Sequence, residues 1–325
     1  MRTPISVAVT GAAGNIGYSL LWRLASGDCF GADQPVILKL LEVTPALDKL
    51  AGVIMEIEDS ALPLVHGIVG SDNPSVAFAG VKAAFLVGSR PRTKDMDRAD
   101  LVRANGPIFV GQGQALASAA DPSVRVLVVG NPCNTNALIA RANAKSLPSA
   151  QFTAMTRLDQ NRAEAQISKK SGAHVASVRN LFVWGNHADT MYPDLQVATI
   201  NERPAAAQLD EGWLRGEFIQ TVATRGKAII VARGASSAAS AASAAVDHMR
   251  DWWKGTDGRV VSIALPSQGW YGVPEGLVFS FPCRVSSAGV IDVVQGMRLD
   301  DFGRAKLAEN IKDLEIERTA VSDLL

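Results

Sequence analysis

His187 follows the apolar run Leu181-Phe182-Val183-Trp184 and is one of four histidines in the chain, with His66, His174 and His248. A lone imidazole is usually structural, but one at a strand end in an open α/β structure lies where ligands bind. The segment TRLDQNRAEAQ adds Asp159 and Arg162, three residues apart at the start of a predicted helix and so on one face of it. An Asp that holds an imidazole fixes its tautomer and stabilises its protonated form, and an Arg fork grips a carboxylate through two bonds. Taken separately, Asp159 could cap a helix and Arg162 could be a surface charge.

Two further segments carry polar chemistry at strand ends. GSRPRTKDMDRADL places Arg90, Arg92 and Arg98 directly after a predicted strand. A solvated basic loop is the usual meaning of such a run, yet this is also where a lid closes over an anionic substrate. GNPCNTN follows the next predicted strand, and its Asn131 could donate to a substrate oxygen or merely start a helix.

The elements that must position these groups alternate regularly over the first 150 residues. Short aliphatic runs at 5–10, 36–41, 83–88 and 125–129 are nearly continuous in apolar residues, as strands covered on both faces should be. Helical patterns fall between or after them, at 15–25, 47–61, 101–119 and 135–145. The rhythm predicts an α/β fold with a Rossmann-type, doubly wound parallel sheet. Beyond the Leu-Pro-Ser stretch at 147–149 the pattern changes: 162–170 looks helical, 178–184 strand-like and 213–232 helical. The division expected is a dinucleotide-binding domain over 1–154 and a second α+β substrate-binding and catalytic domain over 155–325. The stretch SSAASAASAA at 236–245 reads as a close-packed helix, since Ala is the best helix former and small side chains let another backbone approach.

The first strand runs into Gly11-Ala12-Ala13-Gly14-Asn15-Ile16-Gly17 and then an apolar helix. A dinucleotide pyrophosphate needs backbone N–H donors at a helix N-terminus with no side chain in the way, and these glycines supply that approach. The spacing GxxGxxG is weak evidence alone, but the second strand ends in Glu42, which can accept from both ribose hydroxyls and would repel a 2′-phosphate. NAD is therefore expected rather than NADP. Short-chain reductases share the glycine spacing but need Lys four residues after a Tyr, and here those positions hold Trp22, Gln196 and Glu275. The sequence contains no GxxxxGK[ST] loop, HExxH pair or GxSxG elbow.

Composition sets outer bounds. The 32 Lys+Arg balance 32 Asp+Glu among 325 residues, 47% of which are hydrophobic and 20% charged, so the chain can bury a core and is a poor candidate for binding nucleic acid. Its apolar runs fall far short of the roughly 18 residues a bilayer-spanning helix needs, so no membrane association is expected. The N-terminus lacks a secretory h-region and the three cysteines are scattered, which points to a reducing, cytoplasmic location.

TGAAGNIGYSLL, LLEVTP, SRPRTKDMDRADLV, VVGNPCNTN, TRLDQNRA and VWGNH, in that order, resemble the cytosolic-type malate dehydrogenases of the lactate/malate dehydrogenase family. The resemblance spans essentially the whole chain. It implies an NAD-dependent homodimer of the tricarboxylic acid cycle that interconverts malate and oxaloacetate. His187 would then be the proton acceptor and donor, Asp159 its partner, and Arg162 the grip on the carboxylate next to the reacting carbon. The resemblance also implies Arg92 as the fork for the second carboxylate and Arg98 as the lid group polarising the carbonyl. Asn131 would be an orienting donor and Ser240 a small polar residue near the substrate. Cofactor contacts are implied for Gly11, Ala12, Gly14, Asn15, Ile16, Gly17, Glu42, Gly88, Asn105, Gln112, Val129 and Asn131. The sequence departs from the family at Glu42, where Asp is frequent, and at Thr93-Lys94-Asp95, which replaces a commoner stretch ending in glycine. The near rival is lactate dehydrogenase, against which Arg92 argues, because an arginine facing a methyl group would be buried and unpaired. A rival of another class is a dinucleotide-binding protein that kept the fold without catalysis.

Glu42 generates the first prediction. No basic residue stands at the next three positions, Val43, Thr44 and Pro45, to receive a 2′-phosphate. In a spectrophotometric assay the specificity constant for NADH should exceed that for NADPH by orders of magnitude; equal use of the two would remove Glu42 from the discriminating role.

Overall fold

The computed structural model describes residues 2–89 and 98–325, with the side chains of 98–100 also outside the description. The N-terminal half contains β1 (Ile5–Thr10), α1 (Asn15–Ala25), β2 (Val36–Leu41), α2 (Leu47–Asp59), β3 (Val65–Ser71), α3 (Pro74–Ala77) and β4 (Ala83–Leu86). It continues with α4 (Arg98–Ala119), β5 (Arg125–Val128), α5 (Cys133–Asn143) and β6 (Phe152–Ala154). Six strands pair in parallel in the order β3-β2-β1-β4-β5-β6, the doubly wound arrangement that the alternating pattern predicts. β1 and β4 are adjacent although β2 and β3 intervene in sequence, so the order reverses at β1 and opens a crevice beyond the carboxyl ends of these two strands. β3, with its two glycines and a histidine in VHGIVGS, lacks the apolar continuity of the other strands and escaped the sequence pattern.

The second half contains α6 (Arg157–Ser171), β7 (Val178–Arg179), β8 (Phe182–Trp184), β9 (Tyr192–Asp194), β10 (Thr199–Ile200), β11 (Arg203–Pro204), α7 (Glu211–Trp213) and α8 (Ile219–Arg233). It ends with α9 (Ala239–Lys254), β12 (Val261–Pro266), β13 (Val278–Val285), β14 (Ile291–Val293) and α10 (Asp301–Ala320). β12 pairs antiparallel with β6 through Ala264 opposite Ala154, and β13 and β14 follow it, each antiparallel to the strand before, to complete a nine-stranded sheet. The single strand expected over 178–184 is two short ones in different sheets, because Asn180 takes φ 59° and turns the chain between them. The Ala/Ser stretch is helical from Ala239, not from 236, and it packs within the chain against α1 and α6, where Arg23 Nη1 donates to Ser243 Oγ at 2.8 Å. Among the described residues, no helix is long and apolar enough to cross a membrane.

Between α6, α9 and the end of β6 lies a buried polar cluster. Arg157 donates to Asp251 at 2.8 Å with both side chains 4% exposed, and Arg259 donates to the other Asp251 oxygen at 2.7 Å. Burial alone would raise the Asp251 carboxyl, but the two guanidiniums outweigh it and hold it below its ordinary value. Beside it His248, fully buried, bonds Thr153 Oγ1 through Nε2 at 3.1 Å. Burial, helped by the Arg157 charge, pushes the His248 imidazole down to about 3, so it is neutral in the folded protein.

A histidine lowered on folding binds more protons when unfolded, so its contribution to stability is present above about pH 6.5 and is lost as pH falls toward 3. Asp251 adds a loss only below about pH 4, where an unfolded carboxylate protonates. The unfolding free energy from urea titrations should therefore decline between pH 6.5 and 4.5 with a component of about 1.4 kcal/mol per pH unit. His248→Gln should remove that component; an unchanged slope in the variant would place its origin elsewhere.

Candidate active site

The glycine loop forms the floor of the crevice. Gly11 adopts φ +62°, and a Cβ on it would lie 2.7 Å from Gly88 Cα, so the ends of β1 and β4 meet only because both residues are glycine. A Cβ on Gly17 would lie 2.3 Å from Gly11 O, which ties the first turn of α1 to the loop. Gly14 is the N-cap of α1 and carries no side chain to satisfy the helix's first N–H groups, which suits an anionic ligand at that end. Glu42 at the end of β2 accepts from Ala13 N at 2.9 Å and from Val43 N at 3.2 Å. Its carboxylate thus stands against the loop, as a ribose-binding group next to a pyrophosphate cradle should. These residues fit a dinucleotide.

The other expected cofactor contacts divide by exposure. Asn15 is exposed at the start of α1, with Ile16 half-buried behind it and Ala12 fully buried in the loop. Gly88 and Val129 follow β4 and β5 at the same edge of the sheet. Asn131 is exposed there, and its carbonyl accepts from Asn105 Nδ2 at 3.2 Å. Asn105 and Gln112 lie buried on α4, and Gln112 Oε1 has no hydrogen-bond partner among the described residues.

His187, Asp159 and Arg162 come together at the same sheet edge. His187 Nδ1 lies 2.5 Å from Asp159 Oδ2. A carboxylate only accepts, so Nδ1 carries the proton of this bond and Nε2 is left for a ligand. Arg162 Nη1 donates to the other Asp159 oxygen at 3.3 Å. Asp159 sits in the first turn of α6, where the helix N-terminus favours a carboxylate, and its side chain is 4% exposed against 15% for His187 and 13% for Arg162. Arg162 Nε is buried with no hydrogen-bond partner among the described residues. Its other flank faces bare backbone: a Cβ on Gly226 of α8 would lie 3.6 Å from Arg162 Nη2.

Two serines on the antiparallel strands set the distance between α6 and β8. On β12, Ser262 Oγ accepts from Val183 N at 2.8 Å while Ser262 N donates to Gln160 Oε1 at 2.8 Å. On β13, Ser280 exchanges backbone bonds with Gly185, and its hydroxyl lies 2.7 Å from Thr156 Oγ1. Asn134 of α5 accepts from His187 N at 3.1 Å and donates to Gly185 O and Val278 O. Sequence reasoning assigned none of these supports, although a serine inside the apolar runs VSIALP and VFSFP was a visible signal. Ser240 is exposed in the first turn of α9 and makes no hydrogen bond with His187, Asp159 or Arg162. Arg90 and Arg92 lie outside the described residues, and Arg98 opens α4 with its side chain likewise outside them.

Comparison with known proteins agrees with this geometry. Residues 5–154 match the family described as lactate/malate dehydrogenase, NAD binding domain, and residues 156–323 match its alpha/beta C-terminal domain. The fold superposes on malate dehydrogenase from Naegleria fowleri with a TM-score of 0.96, at 43% identity over the whole of both chains. It superposes equally on Trichomonas vaginalis lactate dehydrogenase in complex with NADH and oxamate, with a TM-score of 0.95 at 40% identity over 98% of each chain. A malate dehydrogenase from Plasmodium falciparum shares the fold at 20% identity, with a TM-score of 0.81 over 98% of this chain and 99% of the other. A glycine loop with an acidic side chain bonded to it, and an imidazole held by a carboxylate beside a half-satisfied guanidinium, thus accompany full-length similarity, and the chain belongs to the lactate/malate dehydrogenase family of NAD-dependent oxidoreductases.

Proposed function

We propose that the protein is a malate dehydrogenase, interconverting malate and oxaloacetate. The observation that supports a 2-hydroxy acid substrate is Arg162, a half-buried guanidinium whose one carboxylate contact among the described residues is the long one to Asp159 and whose buried Nε lacks a partner among them. A buried donor left unused costs free energy until an acceptor meets it, and a substrate carboxylate supplies two oxygens for the guanidinium fork. What favours malate over lactate is Arg92, which gives the segment after β4 a cation for a second carboxylate. Asn131 would orient a substrate oxygen, Arg98 would polarise the carbonyl, and Ser240 would border the pocket.

Proton transfer falls to His187. With Nδ1 bonded to Asp159, neutral Nε2 takes the hydroxyl proton as malate is oxidised, and Asp159 steadies the imidazolium that results. In reduction the protonated ring returns that proton to the carbonyl oxygen. NAD, which the glycine loop and Glu42 would hold, would supply the hydride acceptor for oxidation and, as NADH, the hydride donor for reduction. Arg162 would hold the adjacent carboxylate and so keep the reacting carbon in reach of the His187 ring. The division of labour proposed is cofactor binding by 1–154 and substrate binding and catalysis by 155–325. Assembly as a homodimer is part of this reading, carried by the family resemblance, and light scattering after gel filtration would measure it.

Substitution of the arginines separates malate from its rival. Arg92→Gln should lower the specificity constant for oxaloacetate by tens- to thousands-fold, from a loss of about 2 to 5 kcal/mol, and leave pyruvate unchanged or improved. Arg162→Gln should harm both substrates, since both carry the carboxylate it grips. An equal loss on the two substrates in Arg92→Gln, or a wild-type preference for pyruvate, would overturn the malate assignment.

A further inference from the structure

The C-terminal helix α10 reaches the segment that carries His187. Asn310, Asp313 and Glu317 are spaced at i, i+3 and i+7 and so share one face of the helix. Asn310 Oδ1 accepts from Asn186 N at 2.9 Å, and its amide donates to Thr190 O at 2.6 Å. Asp313 accepts from Thr190 Oγ1 at 2.8 Å. Glu317 Oε1 accepts from Asn186 Nδ2 at 2.8 Å, while Oε2 accepts a short bond from Thr135 Oγ1 of α5. Asn186, Asn310, Glu317 and Thr135 are all buried. Asn310 also lies against bare backbone, since a Cβ on Gly185 would fall 2.0 Å from its Oδ1.

A helix that had only to pack would do so with apolar side chains, whereas a buried carboxylate and amide lose hydration and recover it only in one geometry. That geometry here fixes the residue immediately before His187. On its other side His187 N is already held by Asn134. The backbone from 185 to 187 is therefore bonded to α5, β13 and α10, leaving the ring's χ angles as its main freedom.

We propose that Glu317 and Asn310 are positioning residues for His187, acting through Asn186 to hold the imidazole at bonding distance from Asp159. The proposal rests on reading His187 as the acid/base group. Neither residue touches substrate or cofactor in this scheme. Its consequence is that the far end of the chain sets the alignment of the proton-transfer group, so a change some 130 residues away in sequence, 131 between Asn186 and Glu317, should act on turnover and not on cofactor binding.

The test uses the full chain with Glu317→Gln, which keeps the side-chain volume. Folding is checked by thermal unfolding and NADH affinity by fluorescence titration. The Nδ1–H proton of His187, in its short bond to Asp159, should give a far-downfield proton NMR signal, assigned by its loss in His187→Asn. In Glu317→Gln that signal should broaden or shift upfield, and kcat should fall about ten- to a hundredfold on whichever of oxaloacetate and pyruvate the wild type reduces, with NADH affinity within about twofold. An unmoved signal in a folded, NADH-binding variant overturns the proposal, whether or not kcat falls, and so does a shifted signal with unchanged kcat. If Glu317→Gln does not fold, Thr135→Val, which removes one donor to the carboxylate, should shift the signal and lower kcat about three- to tenfold, and no change there would count equally against it. Near-normal turnover in His187→Asn would instead defeat the acid/base reading itself.

Discussion

The bond between His187 Nδ1 and Asp159 Oδ2 joins residues on two elements that have no direct reason to lie together. Asp159 belongs to the first turn of α6, and His187 follows β8. A hydrogen bond of 2.5 Å tolerates displacement of only a few tenths of an ångström, so everything that places α6 relative to β8 is set by it. The antiparallel strands supply that placement. Ser262 and Ser280 each bond toward both elements, so β12 and β13 serve as spacers whose polar positions interrupt otherwise apolar faces.

Charge is distributed to match. Two arginines five residues apart on α6, and so on different faces of it, meet different fates: Arg157 finds Asp251 at 2.8 Å in the core, whereas Arg162 has a 3.3 Å contact to an aspartate already engaged by His187. Both keep guanidinium N–H groups without hydrogen-bond partners among the described residues. What separates them is access, since Arg162 is the more exposed and looks onto Gly226, where α8 presents no side chain. The chain thus keeps one guanidinium only loosely paired and partly exposed, and closes the other inside.

How much of this was legible in the sequence follows from the range over which each signal acts. β1, α1 and β2 were readable to the residue, because apolar continuity and the glycines between are local properties. β3 was not, since its glycines and histidine dilute the pattern, nor was the antiparallel extension, which joins the parallel sheet through one long-range pair, Ala264 with Ala154. Asp159 and Arg162 could be paired from their spacing, and His187 could be set at a strand end. That Asp159 faces His187 required the tertiary structure, and so did the supports from Gln160, Ser262, Ser280 and Asn134, each of which contacts its partner across more than 50 residues. The helix that begins at Ala239 and not at 236 shows the ordinary limit of composition, which marks a helix without fixing its end.

The sheet does not stop where the two halves of the chain divide. β6 closes the parallel order at Ala154, and Ala264 of β12 pairs with that same residue. A fragment ending at 154 would hold all the parallel strands and the glycine loop, yet its last strand would present a row of unpaired N–H and C=O groups that β12 covers in the whole protein. Such an edge invites pairing with another copy of itself. The sequence boundary is accordingly a poor place to cut the protein, and anyone seeking an isolated cofactor-binding module would have to supply a substitute for β12, or blunt the edge with charge, before expecting it to stay monomeric.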